Sequence, residues 1–378
     1  MIAIPRQTGH VRPLVILRSL AIFAVTALLA ACGGGQTPPA GQASPALPGQ
    51  GASTADSGGA GDQINGAGAT FPYPIYSKWF SEYTKSHPDV RINYQSIGSG
   101  GGIRQLIAQT VSFGATDGPM TDEQLKSAPG PIVHLPTVLG AVVPVYNIPY
   151  FTGDLKFSGP LLADIYLGKV KKWNDAAIAK ENPGLKLPAT DIAVAHRSDG
   201  SGTTYIFVDY LSKVSPEFKQ KVGVATSVNW PVGVGGKGNE GVTGLVKQTP
   251  GAIGYVELIY ALQNNIPFGA MKNKAGTYLK ASLESVTAAA AASAASMPAD
   301  FRVSITDADG KDAYPISSYT WILLYENPTD KARNRKMVDF MRWAITDGEA
   351  FAKDLGYAPL PDSVVKLEQD ALGKIKVQ

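Results

Sequence analysis

Leu139-Gly140-Ala141-Val142-Val143-Pro144-Val145-Tyr146 is a continuous apolar run, and Ser318-Tyr319-Thr320-Trp321-Ile322-Leu323-Leu324-Tyr325 is a second one much later in the chain. Runs of this length with little polar alternation read as strands buried on both faces. Between them, amphipathic patterns alternate with short apolar stretches, the order expected of an α/β protein. The first run reads as a passage from one domain to another. The second lies in chain that has returned. The expected architecture is two lobes around a cleft.

Outward from these runs, Pro72 opens a helix with Ile75, Trp79 and Tyr83 on one face, and Ile103, Leu106 and Ile107 mark another. Further helices are expected over 161–167, 176–181, 203–214, 241–248, 329–345 and 347–354, with strands near 112–115, 192–195 and 252–256. The Ala-rich stretch 283–295 reads as a surface helix, alanine being the best helix former. No repeat of fixed period is visible.

The first residues carry Arg6, Arg12 and Arg18 with no acidic residue, followed by an apolar run of 13 residues, 19–31, ending at Cys32. That is short of the roughly 20 residues of a spanning helix and has the small-residue end of a secretory leader. Leu29-Ala30-Ala31-Cys32 resembles the bacterial lipobox, which implies a diacylated Cys32 as the first mature residue. Cys32 is the only cysteine among 378 residues, and lipidation accounts for an unpaired thiol outside the cytoplasm. Residues 33–63 are mostly Gly, Pro, Ala, Ser, Gln and Thr, a composition that reads as a flexible tether spanning on the order of 30 Å. The remaining length exceeds one ordinary core and favours two domains.

The chain carries a formal +3, which the three leader arginines supply, leaving basic and acidic residues in balance. No nucleic-acid footprint is expected. An anion would have to be held by local groups.

Three segments place small and hydroxylated residues just before a helix: Gly66-Ala67-Gly68-Ala69-Thr70-Phe71, Gly98-Ser99-Gly100-Gly101-Gly102, and Asp199-Gly200-Ser201-Gly202-Thr203-Thr204. Helix starts offer unpaired N–H groups and a positive dipole end, although Ser and Thr there also serve as plain caps. Arg197 precedes the third segment and supplies a forked, permanently charged donor set, with Asp199 read as orienting it. Asp117 lies just past an expected strand end, where open α/β sheets hold ligands. A carboxylate fits an anion that brings its own proton, as phosphate does near neutral pH and sulfate does not. The alternative is a loop-capping Asp.

Together, Asn65-Gly66-Ala67-Gly68-Ala69-Thr70-Phe71-Pro72, Gln105 to Thr110 before Phe113-Gly114-Ala115-Thr116-Asp117, Asp164-Ile165-Tyr166-Leu167-Gly168-Lys169, Arg197-Ser198-Asp199-Gly200-Ser201-Gly202-Thr203, Gly235-Gly236-Lys237-Gly238-Asn239 and Pro250-Gly251-Ala252-Ile253-Gly254-Tyr255-Val256 resemble the phosphate-binding proteins of phosphate-specific ABC transporters, the PstS family. The resemblance runs over about 64–366 and departs in composition near 285–297. It implies a two-lobed periplasmic-binding-protein fold of type II, with two mixed sheets flanked by helices. Residues 64–141 and 306–378 would form lobe I and 142–305 lobe II. It further implies phosphate binding by Thr70, Phe71 through its N–H, Ser99 and Asp117 from one lobe, and by Arg197, Ser201, Gly202 and Thr203 from the other, with Asp199 paired to Arg197.

The implied partners are inorganic phosphate, an ABC permease with its ATPase, and a bacterial membrane reached through Cys32. The expected protein is a monomer and extracytoplasmic, with no cofactor, no metal and no catalysis. Gly233-Val234-Gly235-Gly236-Lys237-Gly238 fits a G-x-G-x-x-G string but lacks a clear βαβ unit with an acidic partner, and reads as a turn before a helix capped by Asn239. His196, Arg197, Asp199 and Ser201 could be drawn as a hydrolase site, but the four histidines show no metal-ligand spacing and Ser201 has no nucleophile elbow. A phosphate sensor or adhesin would carry the same pocket as a transport protein.

Overall fold

The computed structural model describes residues 63–294 and 297–378. The expected leader over 1–31, Cys32 and all of the expected tether except Gln63 lie outside the described residues, as does the last residue of the Ala-rich stretch.

The chain begins with β1 (Gln63–Gly68), α1 (Tyr73–Ser86), β2 (Arg91–Ser96), α2 (Ser99–Ile107), β3 (Phe113–Thr116) and α3 (Asp122–Ser127). Pro72 suits the entry to α1, where its missing N–H costs nothing, and the helix buries Ile75, Trp79 and Tyr83 as a 3.6-residue period dictates. β4 (Ile132–Asn147) is a 16-residue strand, twice the apolar run read from sequence, because His134 and Thr137 interrupt the apolar pattern yet are buried.

After β4 come β5 (Lys156–Phe157), α4 (Gly159–Tyr166), α5 (Ala176–Glu181), β6 (Ala193–Arg197), α6 (Gly202–Val214), α7 (Pro216–Lys221), β7 (Val234–Gly236) and α8 (Gly238–Gln248). They are followed by β8 (Ala252–Glu257), α9 (Leu258–Gln263), β9 (Ala270–Lys272), β10 (Tyr278–Leu279) and α10 (Leu283–Ala294). The chain closes with β11 (Ser317–Tyr325), α11 (Lys331–Ala344), two 3-10 turns and α12 (Asp362–Leu372).

The strands are ordered β2-β1-β3-β11-β4-β8-β6-β7, with a separate three-stranded sheet β10-β9-β5. β4 joins two mixed halves of the larger sheet. Its residues up to Ala141 pair antiparallel with β11, and from Val142 onward they pair antiparallel with β8. On one side β1 runs parallel to β2 and β3; on the other β6 runs parallel to β7 and β8. This is a two-lobed α/β fold in which both lobes hang on one long strand. Both sequence-read apolar runs are buried along their length, which is why neither alternates.

Two expectations need correction. The Ala-rich α10 is not simply a surface helix: Val286, Ala289 and Ala290 are buried against β4 and β11, where a small side chain lets the helix approach closely. Residues 347–354 form two 3-10 turns, Asp347–Phe351 and Lys353–Leu355, instead of a helix. The Gly348 carbonyl accepts the Trp79 indole N–H at 2.7 Å, and the Ala352 N–H turns to Glu349 instead.

Candidate functional site

Four helix starts converge between the two halves of the sheet, one more than the sequence reading anticipated. Gly66–Gly68 are the end of β1, not loop, and Thr70 leads from it into α1. Ser99 is already the first residue of α2, entered through Gly98 at φ +89°. Ser201 caps α6, its hydroxyl oxygen accepting the Thr204 N–H at 3.0 Å. The fourth start is α8, whose cap is Lys237; Asn239, expected as the cap, lies inside the first turn.

The segments touch directly. Gly100 N–H donates to the Gly200 carbonyl at 2.9 Å, and Gly202 N–H donates to Ser99 Oγ at 3.0 Å. The Asn239 side-chain amide donates to Thr70 Oγ1 at 2.8 Å and to Thr203 Oγ1 at 3.1 Å, while its oxygen accepts the Glu257 N–H. A side chain at Gly98 would collide with Asp199 Oδ2 and the Gly200 carbonyl, so only glycine permits this approach at that φ.

Asp117 follows β3 directly and is buried. Its N–H donates to Ser99 Oγ at 3.3 Å, and its Oδ1 accepts the Thr320 hydroxyl at 2.8 Å. Oδ2 is buried with no hydrogen-bond partner among the described residues. Burial pushes this carboxyl up to about 7; the Thr320 donor and the Arg197 charge pull it down, and Asp199 pushes it up. Gly202 leaves Oδ2 uncovered, since a Cβ there would stand 2.5 Å from it.

Arg197 ends β6 and is 4% exposed. Its Nε and Nη2 grip Asp199 Oδ1 and Oδ2 at 2.8 and 2.5 Å, and Nη1 donates to Thr203 Oγ1 at 3.3 Å. Three of the five guanidinium N–H donors are thereby used, and two remain. Burial would raise the Asp199 carboxyl, but Arg197 and the Gly238 N–H outweigh it and hold the group below the usual carboxylate range. The guanidinium is thus fixed in place.

Of the residues expected to bind, Ser99, Asp117 and Gly202 meet directly, Arg197 touches Thr203, and Thr70 joins Thr203 through Asn239. Phe71 is buried, with its carbonyl accepting the Tyr357 hydroxyl at 2.6 Å. Ser99 accepts two N–H groups and keeps its own proton to donate. The arrangement is a ring of N–H and O–H donors around one buried acceptor oxygen. Asn239 and Thr320 escaped the sequence reading: the first looked like a helix cap, and the second lies inside an apolar run.

Residues 53–348 match the family model described as a PBP superfamily domain. Over 305 residues the chain is 50% identical to the phosphate-binding protein PstS of Xylella fastidiosa, covering 80% of this chain and 83% of that one. The chain belongs to the PstS family of phosphate-binding proteins. A second PstS, from Pasteurella multocida, is 48% identical over 304 residues, covering 80% of this chain and 88% of its own. Among solved structures, a high-affinity periplasmic phosphate-binding protein bound with phosphate superposes with a TM-score of 0.66 at 19% identity, over 82% of this chain and 93% of that one. The family-model match spans the stretch that holds the donor ring, and at that low identity the structural match speaks for the fold.

Among the described residues no group of three or more His, Cys, Asp and Glu side chains could hold a metal ion. The His196 ring stacks on Trp230 at 5.2 Å and its Nδ1 lies 3.0 Å from the Arg197 carbonyl. The Gly233–Gly238 string is β7 with the turn into α8.

Proposed function

We propose that this protein captures inorganic phosphate outside the cytoplasm and delivers it to an ABC permease and its ATPase for import. The observation that carries this reading is the unpartnered, buried Asp117 Oδ2 inside a ring of donors. An anion held there meets the Ser99 hydroxyl, the two remaining Arg197 N–H donors, the Ser201 and Thr203 hydroxyls, Thr70, and the N–H groups at the starts of α1 and α6. It must also give one hydrogen bond to Asp117. Phosphate has that proton near neutral pH; sulfate would present a lone pair to a buried oxygen. The PstS names of the relatives support the same ligand.

Capture works by closure. We assign 64–141 and 306–378 to lobe I and 142–305 to lobe II, a division supported by the change of partner along β4 between Ala141 and Val142. On that assignment Ser99–Gly202, Gly100–Gly200 and Thr70–Asn239 are bonds between lobes, and an anion bridging the same groups stabilises the closed form for the permease to recognise. On this reading the protein is a monomer and a binder without catalysis; in support of the latter, the Ser201 oxygen serves as a helix cap and leaves only its proton to donate, and the His196 ring is stacked on Trp230. Lipidation of Cys32 would hold it beside its transporter and raise its effective concentration there. No described helix is long and apolar enough to cross a membrane.

Calorimetric titration of residues 64–378 with phosphate, arsenate and sulfate tests the reading. One phosphate per chain is expected, with sulfate weaker by at least about 100-fold, the worth of one unpaired buried group and a like charge. Equal affinity for sulfate and phosphate would sink the assignment.

A further inference from the structure

Thr320 has no place in the donor ring, yet among the described residues its hydroxyl is the only side-chain partner of the Asp117 carboxyl. Its position has a cause in the sequence. Pro136 brings no N–H to the β4–β11 ladder, and the register shifts there: Thr320 pairs with Val138 and Trp321 with Pro136, leaving Thr137 over as a bulge. The Thr137 hydroxyl donates to the Thr320 carbonyl at 3.2 Å and is itself bonded to the Tyr76 hydroxyl at 2.9 Å. Thr320 is therefore held from behind, fully buried, with its hydroxyl between two acceptors: Asp117 Oδ1 at 2.8 Å and the Thr116 carbonyl at 3.3 Å.

We propose that Thr320 is the positioning residue that keeps Asp117 Oδ2 a hydrogen-bond acceptor toward the ligand whether or not Asp117 carries a proton. When Asp117 is ionised, Thr320 donates to Oδ1 and leaves Oδ2 open. When Asp117 is protonated, the proton sits on Oδ1 and is donated to the Thr320 oxygen, while Thr320 turns its own proton to the Thr116 carbonyl. One hydroxyl serves both states because it is donor and acceptor at once. The ionisable groups that act on Asp117 or feel its charge are Arg197, Asp199, Glu257, Tyr76, Tyr94 and Tyr357. None of them is hydrogen-bonded to either Asp117 oxygen. A ligand without a proton is then refused below neutral pH as well as above it.

The inference rests on the phosphate reading, and its test separates the two. Phosphate and sulfate affinities are measured at pH 5 and pH 8 for the wild type, Thr320→Val and Thr320→Ser, alongside carbon-13 NMR titration of the Asp117 carboxyl without ligand. Thr320→Val frees the proton to sit on Oδ2, so at pH 5 it should bind sulfate about tenfold more tightly than the wild type does, the worth of one buried hydrogen bond. It should also move the carboxyl midpoint upward. Thr320→Ser, which keeps the hydroxyl, should restore wild-type behaviour in both readouts. If Thr320→Val matches the wild type in sulfate affinity at pH 5 while both bind phosphate, the role of Thr320 is overturned. If the wild type binds neither anion, the phosphate reading fails, and the carboxyl midpoint alone decides for Thr320 by moving or against it by staying. Should Thr320→Val fail to fold, Thr320→Ala takes its place in both measurements.

Discussion

The N–H of Gly202 donates to the Ser99 hydroxyl oxygen at 3.0 Å, and a methyl group on Gly202 would stand 2.5 Å from that same oxygen and from Asp117 Oδ2. Helices α2 and α6 meet here because one side offers a hydroxyl and the other no side chain at all. On the proposed phosphate reading the contact belongs to the binding geometry, since the same glycine leaves the buried Asp117 oxygen uncovered.

Gly202→Ala should therefore lower phosphate affinity about 100-fold, because overpacking costs roughly 1–3 kcal/mol and the Ser99 bond is lost with it. Solution scattering should show no compaction on adding phosphate. Gly244→Ala is the control: it lies in α8 with nothing within 4 Å of the added carbon, and it should leave affinity unchanged while adding about 0.5–1 kcal/mol of helix stability. Equal affinities for the two variants would refute the steric account.

The buried Arg197 and the half-buried Asp199 form a forked pair in which each side chain depends on the other. Arg197→Ala should weaken phosphate binding by about 3–5 kcal/mol, since it leaves Asp199 with the Gly238 N–H but without its charged partner near an incoming anion. Arg197→Lys should recover only part of the loss, because a single ammonium cannot span both Asp199 oxygens and Thr203. The double variant Arg197→Ala, Asp199→Ala should bind better than Arg197→Ala alone. A calorimetric cycle over the wild type, Arg197→Ala, Asp199→Ala and the double variant checks this, and strict additivity would show that the pair is not coupled.

How far the sequence discloses all this depends on what each residue works against. The runs at 139–146 and 318–325 are legible because strands buried on both faces must be apolar throughout, and α1 is legible because Ile75, Trp79 and Tyr83 face one core. β2 is not, because Arg91-Ile92-Asn93-Tyr94-Gln95-Ser96 is an edge strand with its outward face in water. β5, β9 and β10, of two or three residues, are too short to show a period. In the site, Ser99, Ser201 and Arg197 stand out because helix starts and a flanking guanidinium are local features. Asn239 and Thr320 act on groups far along the chain, Thr70 and Asp117, which local pattern does not reveal.

Asp117 carries the last prediction, and its sign follows from burial. Its carboxyl is pushed up to about 7, so between the ordinary carboxylate range near 4 and that value the folded protein holds a proton that the unfolded chain has released. The associated stability is fully present below about pH 4 and is lost as pH rises through about 7, by at most roughly 4 kcal/mol. Glu257, Glu349 and Glu368 are also raised by burial and add slopes of the same sign, Glu349 over a window reaching about 8, so the comparison must be with a variant and not with an absolute curve. Denaturant unfolding of Asp117→Asn without phosphate, from pH 4.5 to 7.5, should show a shallower fall than the wild type. The same variant should lose phosphate-over-sulfate selectivity more than it loses phosphate affinity, because an amide can turn its N–H toward sulfate where the carboxylate offers only lone pairs. An unchanged pH slope would mean that Asp117 is not protonated in the folded form, and an unchanged anion ratio would remove it from the basis of selectivity.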